Sequence, residues 1–293
     1  AHTIDARETA PAAATEDMFE NNMDENNSPL KKMDVTGGLS VGVPGEVAGY
    51  EEAHKRYGRL PWAQLFQPAI KLAREGFPVS PYLARALESS EERIKLQRPD
   101  PGWREIFAPN GEPLRPGEVL KQPDLAETLE LIAEEGPEAF YNGERLAEQL
   151  VKDIQKSGGI ITAEDLANYK VKVREPVHSS SYARGYEVLS MPPPSSGGVV
   201  LAQVLNILEG YNFDMSSVAT PENSAETYHR LVEAMKFAYA DRSRYLGDPD
   251  FVPVPQNAVE KLLSKDYAKQ RRALIPSNPQ RASPSSSLPP GAP

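Results

Sequence analysis

The sequence has no cysteine among its 293 residues, and only four widely separated histidines. Disulfide bonds, cysteine nucleophiles and thiolate metal sites are therefore excluded. A local zinc motif needs ligands close together in sequence, and His2, His54, His178 and His229 do not provide one. Each histidine is therefore interpreted as structural.

Long apolar runs are also missing, and the first residues lack the features of a signal peptide. Basic residues are outnumbered, 32 against 42 acidic ones, which gives a net charge of -10. This charge repels phosphate backbones and argues against nucleic acid or an anionic membrane as the main partner. With 39% hydrophobic residues the chain still buries a large core, as one large domain or two modest ones.

Helical patterns dominate what is present. Prolines near the starts and glycines after the ends mark several of the predicted helices, which cover residues 46–57, 61–75, 81–95, 124–135, 143–156, 199–208, 221–245 and 257–272. Alternating patterns predict strands at 169–173 and 185–189, and a short strand or hairpin around Trp103–Phe107. The last eighteen residues, 276–293, contain six prolines and five serines and are expected to be disordered.

The stretch from Ser190 to Gly198 is the most conspicuous local feature. Three prolines restrict its backbone and two glycines permit a sharp turn or a close approach. It lies between a predicted strand and a predicted helix, a common location for an active site. A rigid junction with only a packing role is the alternative.

Two further motifs have a chemical and a structural interpretation. Gly38–Gly42 matches the nucleophile elbow of a serine hydrolase with Ser40 as nucleophile, but the preceding residues are a poor strand and Pro44-Gly45 interrupts the expected helix. Asp248-Pro249-Asp250 suggests either an acidic metal site or a turn after a helix. We favour the structural interpretation for both.

Arg7 lies between Asp5 and Glu8 and by itself indicates only a surface ion pair. A guanidinium also binds a carboxylate through two parallel hydrogen bonds, which lysine does not reproduce.

Several short stretches follow one another along the chain: Asp5–Glu8 with Ala10-Pro11, Val43–Gly45 with Gly49, Gln67–Ala69, Gly158–Thr162 with Glu164–Leu166, Met191–Gly198, Phe237–Arg242 and Gly247–Pro249. Together they resemble the large subunit of the γ-glutamyltransferases, also called glutathione hydrolases, and they occur in the family's order from about residue 4 to residue 275.

The resemblance implies an α+β fold of the N-terminal-nucleophile hydrolase class, with an αββα sandwich of which only the helix-rich large-subunit part, residues 1–275, is present. It implies hydrolysis or transfer of the γ-glutamyl group of glutathione and its conjugates through a γ-glutamyl-threonine intermediate. Amino acids or peptides act as acceptors, and no metal or organic cofactor is expected. In the family the nucleophile is the threonine that begins the small subunit, which is a partner of the large subunit.

No threonine of this chain lies in that context, so no catalytic residue is assigned here and the chain alone is expected to be inactive. Family members carry further segments before the arginine matched by Arg7, which implies truncation. By the resemblance, Arg7 binds the α-carboxylate of the γ-glutamyl group. The complete protein is expected outside the cytoplasm, secreted or anchored. The alternatives are a non-catalytic, carboxylate-binding relative and, on the residues alone, a serine hydrolase using Ser40.

Overall fold

The computed structural model describes residues 1–19, 38–89, 102–182, 185–252, 254–255 and 257–277. The chain forms two compact units. The N-terminal unit is Ile4–Lys172, and the C-terminal unit combines Ala1–Thr3 with Val173–Pro293. Among the described residues, no helix is both long enough and apolar enough to cross a bilayer.

The N-terminal unit is mainly helical. Its helices are α1 (Glu46–Tyr57), α2 (Trp62–Glu75), α3 (Pro81–Ser89), α4 (Gly102–Phe107), α5 (Pro123–Glu135), α6 (Glu138–Tyr141), α7 (Leu146–Lys156) and α8 (Ala163–Asn168), and a 3-10 turn covers Gly38–Ser40. The strands are β1 (Thr3–Asp5), β2 (Phe77–Pro78), β3 (Val119–Leu120) and β4 (Lys172–Arg174), of which β1 and β4 extend over the unit boundary. Strands β2 and β3 pair antiparallel, with Phe77 opposite Leu120.

Helices α2 and α5 pack closely because their facing side chains are small or branched. Ile70 and Ala73 of α2 share a buried cluster with Ala126 and Ala133 of α5. Trp62 adds a hydrogen bond from its indole nitrogen to the Ile132 carbonyl at 2.9 Å. Glycines 76 and 136, both with positive φ, end the two helices where the sequence predicts.

A second cluster of the N-terminal unit gathers around α7 and α8. The buried apolar side chains are Val43, Tyr141, Ala147, Val151, Ile154, Ile161 and Leu166. Helix α8 begins with the predicted capping box, in which Thr162 Oγ1 accepts the Asp165 N–H at 3.2 Å and Asp165 Oδ2 accepts the Thr162 N–H at 2.9 Å. This cluster is the support of the candidate site.

The C-terminal unit consists of a hairpin and a helical layer. Its elements are β5 (Val177–Tyr182), β6 (Tyr186–Ser190), α9 (Gly197–Glu209), a 3-10 turn (Met215–Val218), α10 (Pro221–Tyr245), α11 (Ala258–Leu263) and α12 (Lys265–Ala273). β5 and β6 pair antiparallel with Val177 opposite Ser190. The core around Ile207 and Phe237 joins α9, α10 and α12.

A buried polar network crosses this helical layer. Asp241 is 2% exposed, and its carboxylate accepts hydrogen bonds from Gln203 at 2.6 Å, Tyr267 at 2.9 Å and the Arg271 guanidinium at 2.5 and 3.2 Å. A buried charge persists only when it is paired and hydrogen-bonded in this way. Asp241, which belongs to the Phe237–Arg242 stretch, therefore has a structural function in this network.

The predicted strand 169–173 is displaced, since β4 covers Lys172–Arg174 and Tyr169 lies before it. Two further secondary-structure predictions were wrong. Trp103–Phe107 is part of helix α4 and not a strand, because helical spacing lets the Trp103 and Phe107 rings pack 5.6 Å apart, and Phe77–Pro78 pairs with β3 instead. The predicted helix 257–272 is divided into α11 and α12 at Ser264, whose side chain accepts the Tyr267 N–H and begins a new helix.

Residues 90–95 of the predicted third helix and residues 278–293 of the predicted tail lie outside the described residues, so the predictions for them stay predictions.

Candidate functional site

Arg7 follows strand β1 and is exposed. Its N–H donates to Asp5 Oδ1 at 3.3 Å, and its carbonyl accepts the hydroxyl of Tyr169 at 2.8 Å. Asp5 is a neighbour in sequence, but Tyr169 is 162 positions away. Both peptide groups of Arg7 are thus hydrogen-bonded, and the residue is exposed.

The residues after Arg7 are attached to the same cluster. Thr9 and Val43 form an antiparallel bridge with N–H to carbonyl distances of 3.2 and 2.8 Å. The Ala12 N–H donates to Asp165 Oδ1 at 2.8 Å. We call residues 5–12 the Arg7 segment, and these contacts hold it along most of its length.

Two glycines make room for the Arg7 segment. A Cβ at Gly49 of α1 would lie 2.4 Å from the Ala6 Cβ, and one at Gly45 would lie 2.3 Å from the Ala6 carbonyl oxygen and 2.0 Å from the Tyr169 hydroxyl. A Cβ does not come this close to a carbon or oxygen atom to which it is not bonded, so only glycine permits this approach. The motif Val43–Gly45 with Gly49 therefore forms the surface on which the Arg7 segment packs.

Tyr169 is half-buried, and its ring stacks on Tyr141 with centroids 5.7 Å apart and planes 14° apart. Burial, together with the nearby Tyr141 hydroxyl and the carboxylates of Asp5 and Glu8, raises the pKa of Tyr169 to about 12. The hydroxyl therefore remains protonated at neutral pH and serves as a donor to the Arg7 carbonyl.

Asp165 has two functions in the structure, since it caps α8 and accepts the Ala12 N–H. Partial burial works against its ionisation, but the hydrogen bonds from Ala12 and Thr162 outweigh burial and lower the pKa of this carboxyl below its usual value. Asp165 is thus ionised at neutral pH and couples α8 to the Arg7 segment.

The loop from Ser190 to Gly198 joins β6 to α9, as predicted. Ser196 Oγ accepts a hydrogen bond from Arg242 Nε at 2.7 Å, and a Cβ on buried Gly198 would lie 2.1 Å from the Met191 carbonyl oxygen. The Pro193-Pro194 peptide is cis. These contacts are intramolecular packing, which supports the interpretation of a rigid junction for this loop.

The surroundings of Ser40 and of Asp248-Pro249-Asp250 support the structural interpretation of both motifs. Ser40 ends the 3-10 turn, and the residues after it lead to the bridge at Val43 and not directly into a helix, so the geometry of a nucleophile elbow is not formed. Asp248 Oδ1 accepts the Asp250 N–H at 3.0 Å, as in a turn, and Asp250 is paired with Arg174. Within the described ranges, no group of three histidine, aspartate or glutamate side chains is placed to hold a metal ion.

Tyr169 and the Ala12 contact of Asp165 were missed by the sequence analysis. The pattern around Tyr169 indicated only a half-buried strand, and nothing local connects residue 169 with residue 7. The capping box signalled the local function of Asp165 but not its second bond.

The comparisons with known proteins decide the family. A model of the family described as Gamma-glutamyltranspeptidase matches residues 1–291. The chain belongs to the gamma-glutamyltranspeptidase family. It is 48% identical over 288 residues to the glutathione hydrolase proenzyme of Escherichia coli (strain K12), covering 98% of this chain and 47% of that protein. It is also 46% identical over 275 residues to the acylase ACY 1 proenzyme of Pseudomonas sp. (strain V22), with 93% and 47% covered.

A crystal structure of Helicobacter pylori gamma-glutamyltranspeptidase superposes on this chain with a TM-score of 0.83 and 43% identity, covering 99% of this chain and 78% of that one. The likeness to solved family members confirms the predicted α+β class and the relation to the N-terminal-nucleophile hydrolases. The chain spans about half the length of the curated relatives it matches.

Proposed function

We propose that this chain is the large-subunit region of an enzyme that hydrolyses or transfers the γ-glutamyl group of glutathione and its conjugates, and that Arg7 binds the α-carboxylate of that group. The observation that carries the proposal is the Arg7 segment. Its backbone is fixed by Tyr169, Val43 and Asp165, while the Arg7 side chain is exposed. A fixed backbone favours a bidentate guanidinium–carboxylate pair, because less freedom is lost when the pair forms.

The chemical step is assigned to the rest of the precursor. By the family resemblance, the hydroxyl oxygen of a threonine that begins the small subunit attacks the γ-carbonyl carbon, and its own amine accepts the proton. The amide nitrogen leaves with a proton, and water or an amino acid or peptide acceptor then takes the acyl group from the ester. Arg7 acts in this scheme by holding the substrate's far end.

Exposed apolar side chains on α10 support the proposal that this region functions together with another part of the precursor. Tyr228, Val232, Met235 and Tyr239 follow helical spacing along α10 and are between 45% and 63% exposed. Apolar stripes of this kind mark surfaces that a partner covers. We propose that the small subunit of the same precursor is the partner, that the 293-residue chain alone is inactive, and that the complete protein resides outside the cytoplasm, secreted or anchored.

The decisive experiment is Arg7→Lys in the complete protein. Loss of the bidentate pair should raise KM for a γ-glutamyl anilide at least about tenfold, because charged hydrogen bonds contribute about 1.5–3 kcal/mol, with much less effect on kcat. Arg145→Lys, at an exposed arginine 3.9 Å from Glu135, is the control and should leave KM unchanged. An unchanged KM for Arg7→Lys would remove the assignment.

An acylase acting on a different acyl group is the second candidate, because the Pseudomonas acylase proenzyme is nearly as similar as the glutathione hydrolase. The two are distinguished by comparing a γ-glutamyl anilide with the 4-aminobutyryl anilide, which lacks the α-carboxylate. A γ-glutamyl enzyme that uses Arg7 should strongly prefer the first substrate, and Arg7→Lys should reduce that preference. Equal turnover of both would favour the acylase.

A further inference from the structure

Two side chains bond to the peptide groups of Arg7, Asp5 from two residues away at 3.3 Å and Tyr169 from a distant part of the chain. Val43 holds Thr9 and Asp165 holds Ala12, but Tyr169 bonds to the carbonyl of Arg7 itself at 2.8 Å. A long arginine side chain turns a small displacement of its own peptide group into a larger displacement of the guanidinium. Productive binding geometry tolerates only about 0.5 Å of error.

Tyr169 is itself held from three directions. Its N–H donates to the Leu166 carbonyl at 3.1 Å at the end of α8. Its ring lies on Tyr141, whose hydroxyl donates to the Pro44 carbonyl at 3.0 Å and accepts the Ala48 N–H at 3.2 Å. Gly45 leaves the space that the Tyr169 hydroxyl occupies.

We infer that Tyr169 is a positioning residue for Arg7, and that its hydroxyl sets the affinity for the substrate's α-carboxylate without touching the substrate. The inference rests on the proposed function of Arg7. The Tyr169 hydroxyl therefore contributes to substrate binding as well as to stability, because it fixes the peptide group from which the Arg7 side chain extends. A purely structural tyrosine would affect all substrates equally.

The test is Tyr169→Phe in the complete protein, a change that keeps the ring and its stacking on Tyr141 and removes only the hydroxyl. Without this bond the guanidinium is less well placed for its two parallel hydrogen bonds, so KM for the γ-glutamyl anilide should rise about threefold or more, by less than for Arg7→Lys, with kcat changed less than about twofold. Turnover of the 4-aminobutyryl anilide should be unaffected, since it has no α-carboxylate.

Tyr267→Phe is the matched control. It also removes one tyrosine hydroxyl, which donates to Asp241 at 2.9 Å and accepts from the Arg271 guanidinium, from a network in the C-terminal unit. It should lower the thermal midpoint without changing KM. The double variant Tyr169→Phe with Arg7→Lys should have the KM of Arg7→Lys alone, because the hydroxyl acts through Arg7.

The outcomes separate this inference from the proposed function. If Arg7→Lys raises KM and Tyr169→Phe does not, the positioning function of Tyr169 is wrong and the Arg7 assignment stands. If Tyr169→Phe reduces turnover of both substrates equally, or adds its full effect to Arg7→Lys, Tyr169 is only structural. If Arg7→Lys leaves KM unchanged, both ideas are rejected.

Discussion

The Arg7 segment and the Ser190–Gly198 loop are both held by residues remote in sequence, but they expose different groups. In the Arg7 segment the contacts engage backbone atoms, and the Arg7 side chain remains at the surface. In the loop, the contacts engage the Ser196 hydroxyl and bury Gly198. A rigid backbone is therefore poor evidence for a site unless a reactive or binding side chain extends from it.

The largest effect should come from the loop. Gly198→Ala would place a methyl group 2.1 Å from the Met191 carbonyl oxygen, so we expect a loss of about 1–3 kcal/mol or more of stability, or failure to fold. Gly197→Ala, whose methyl meets only the Ser195 hydroxyl at 3.8 Å, should be within about 1 kcal/mol of the wild type. Thermal unfolding of the purified variants measures the difference. Equal midpoints would contradict the packing function of the loop.

The Arg7 segment should respond to crowding from α1. Alanine for glycine within a helix normally stabilises by about 1 kcal/mol, but Gly49→Ala would press on Ala6, so we expect destabilisation of about 1–3 kcal/mol and a severalfold higher KM. Ala6→Gly in the same protein removes the opposing methyl and should restore KM. If the double variant retains the defect, the contact between these two residues does not position the Arg7 segment.

Ser196→Ala should have a smaller effect. It removes the hydroxyl that accepts from Arg242, at a cost of about 1 kcal/mol for a partly exposed hydrogen bond, and should leave KM and kcat within about twofold of the wild type. Steady-state kinetics and the thermal midpoint are measured together. A large fall in kcat at an unchanged midpoint would make the loop an active-site element after all.

The smallest effect is a pH dependence at Asp165. Its pKa is lower in the folded protein than in the unfolded chain, so its contribution to stability is complete above about pH 4 and is lost as the pH falls through the folded-state pKa. Asp165→Asn should therefore reduce the fall in thermal midpoint between about pH 6 and pH 3. Asp153→Asn, at an exposed position on α7, is the control. Identical acid profiles for wild type and Asp165→Asn would show that Asp165 contributes nothing there.

Much of the fold follows from local signals. Proline at Pro221 and glycine at Gly58, Gly76 and Gly136 bound the observed helices because these residues favour or oppose helical backbone locally. The break at Ser264 was missed because the apolar spacing continues through it. Trp103–Phe107 was misassigned because aromatic residues favour strands by propensity, whereas packing selected a helix.

The candidate site was less accessible to sequence reasoning. Arg7 was identified by the family resemblance, since its own surroundings indicate only an ion pair. The Tyr169 contact depends on how α8 packs against the segment before α1, and no spacing rule relates positions so far apart. Tertiary contacts between distant residues are therefore what the sequence alone did not provide.

The contacts of the Arg7 segment with Tyr169 and Asp165 close loops of 162 and 153 residues. Closing loops of this length carries an entropic cost that must be met before the contacts form, so they belong to the late events of folding. During synthesis Arg7 leaves the ribosome before Tyr169, and it acquires its final position only after α8 and Tyr169 have emerged. Under the proposed function of Arg7, substrate binding therefore depends on the folding of the whole N-terminal unit.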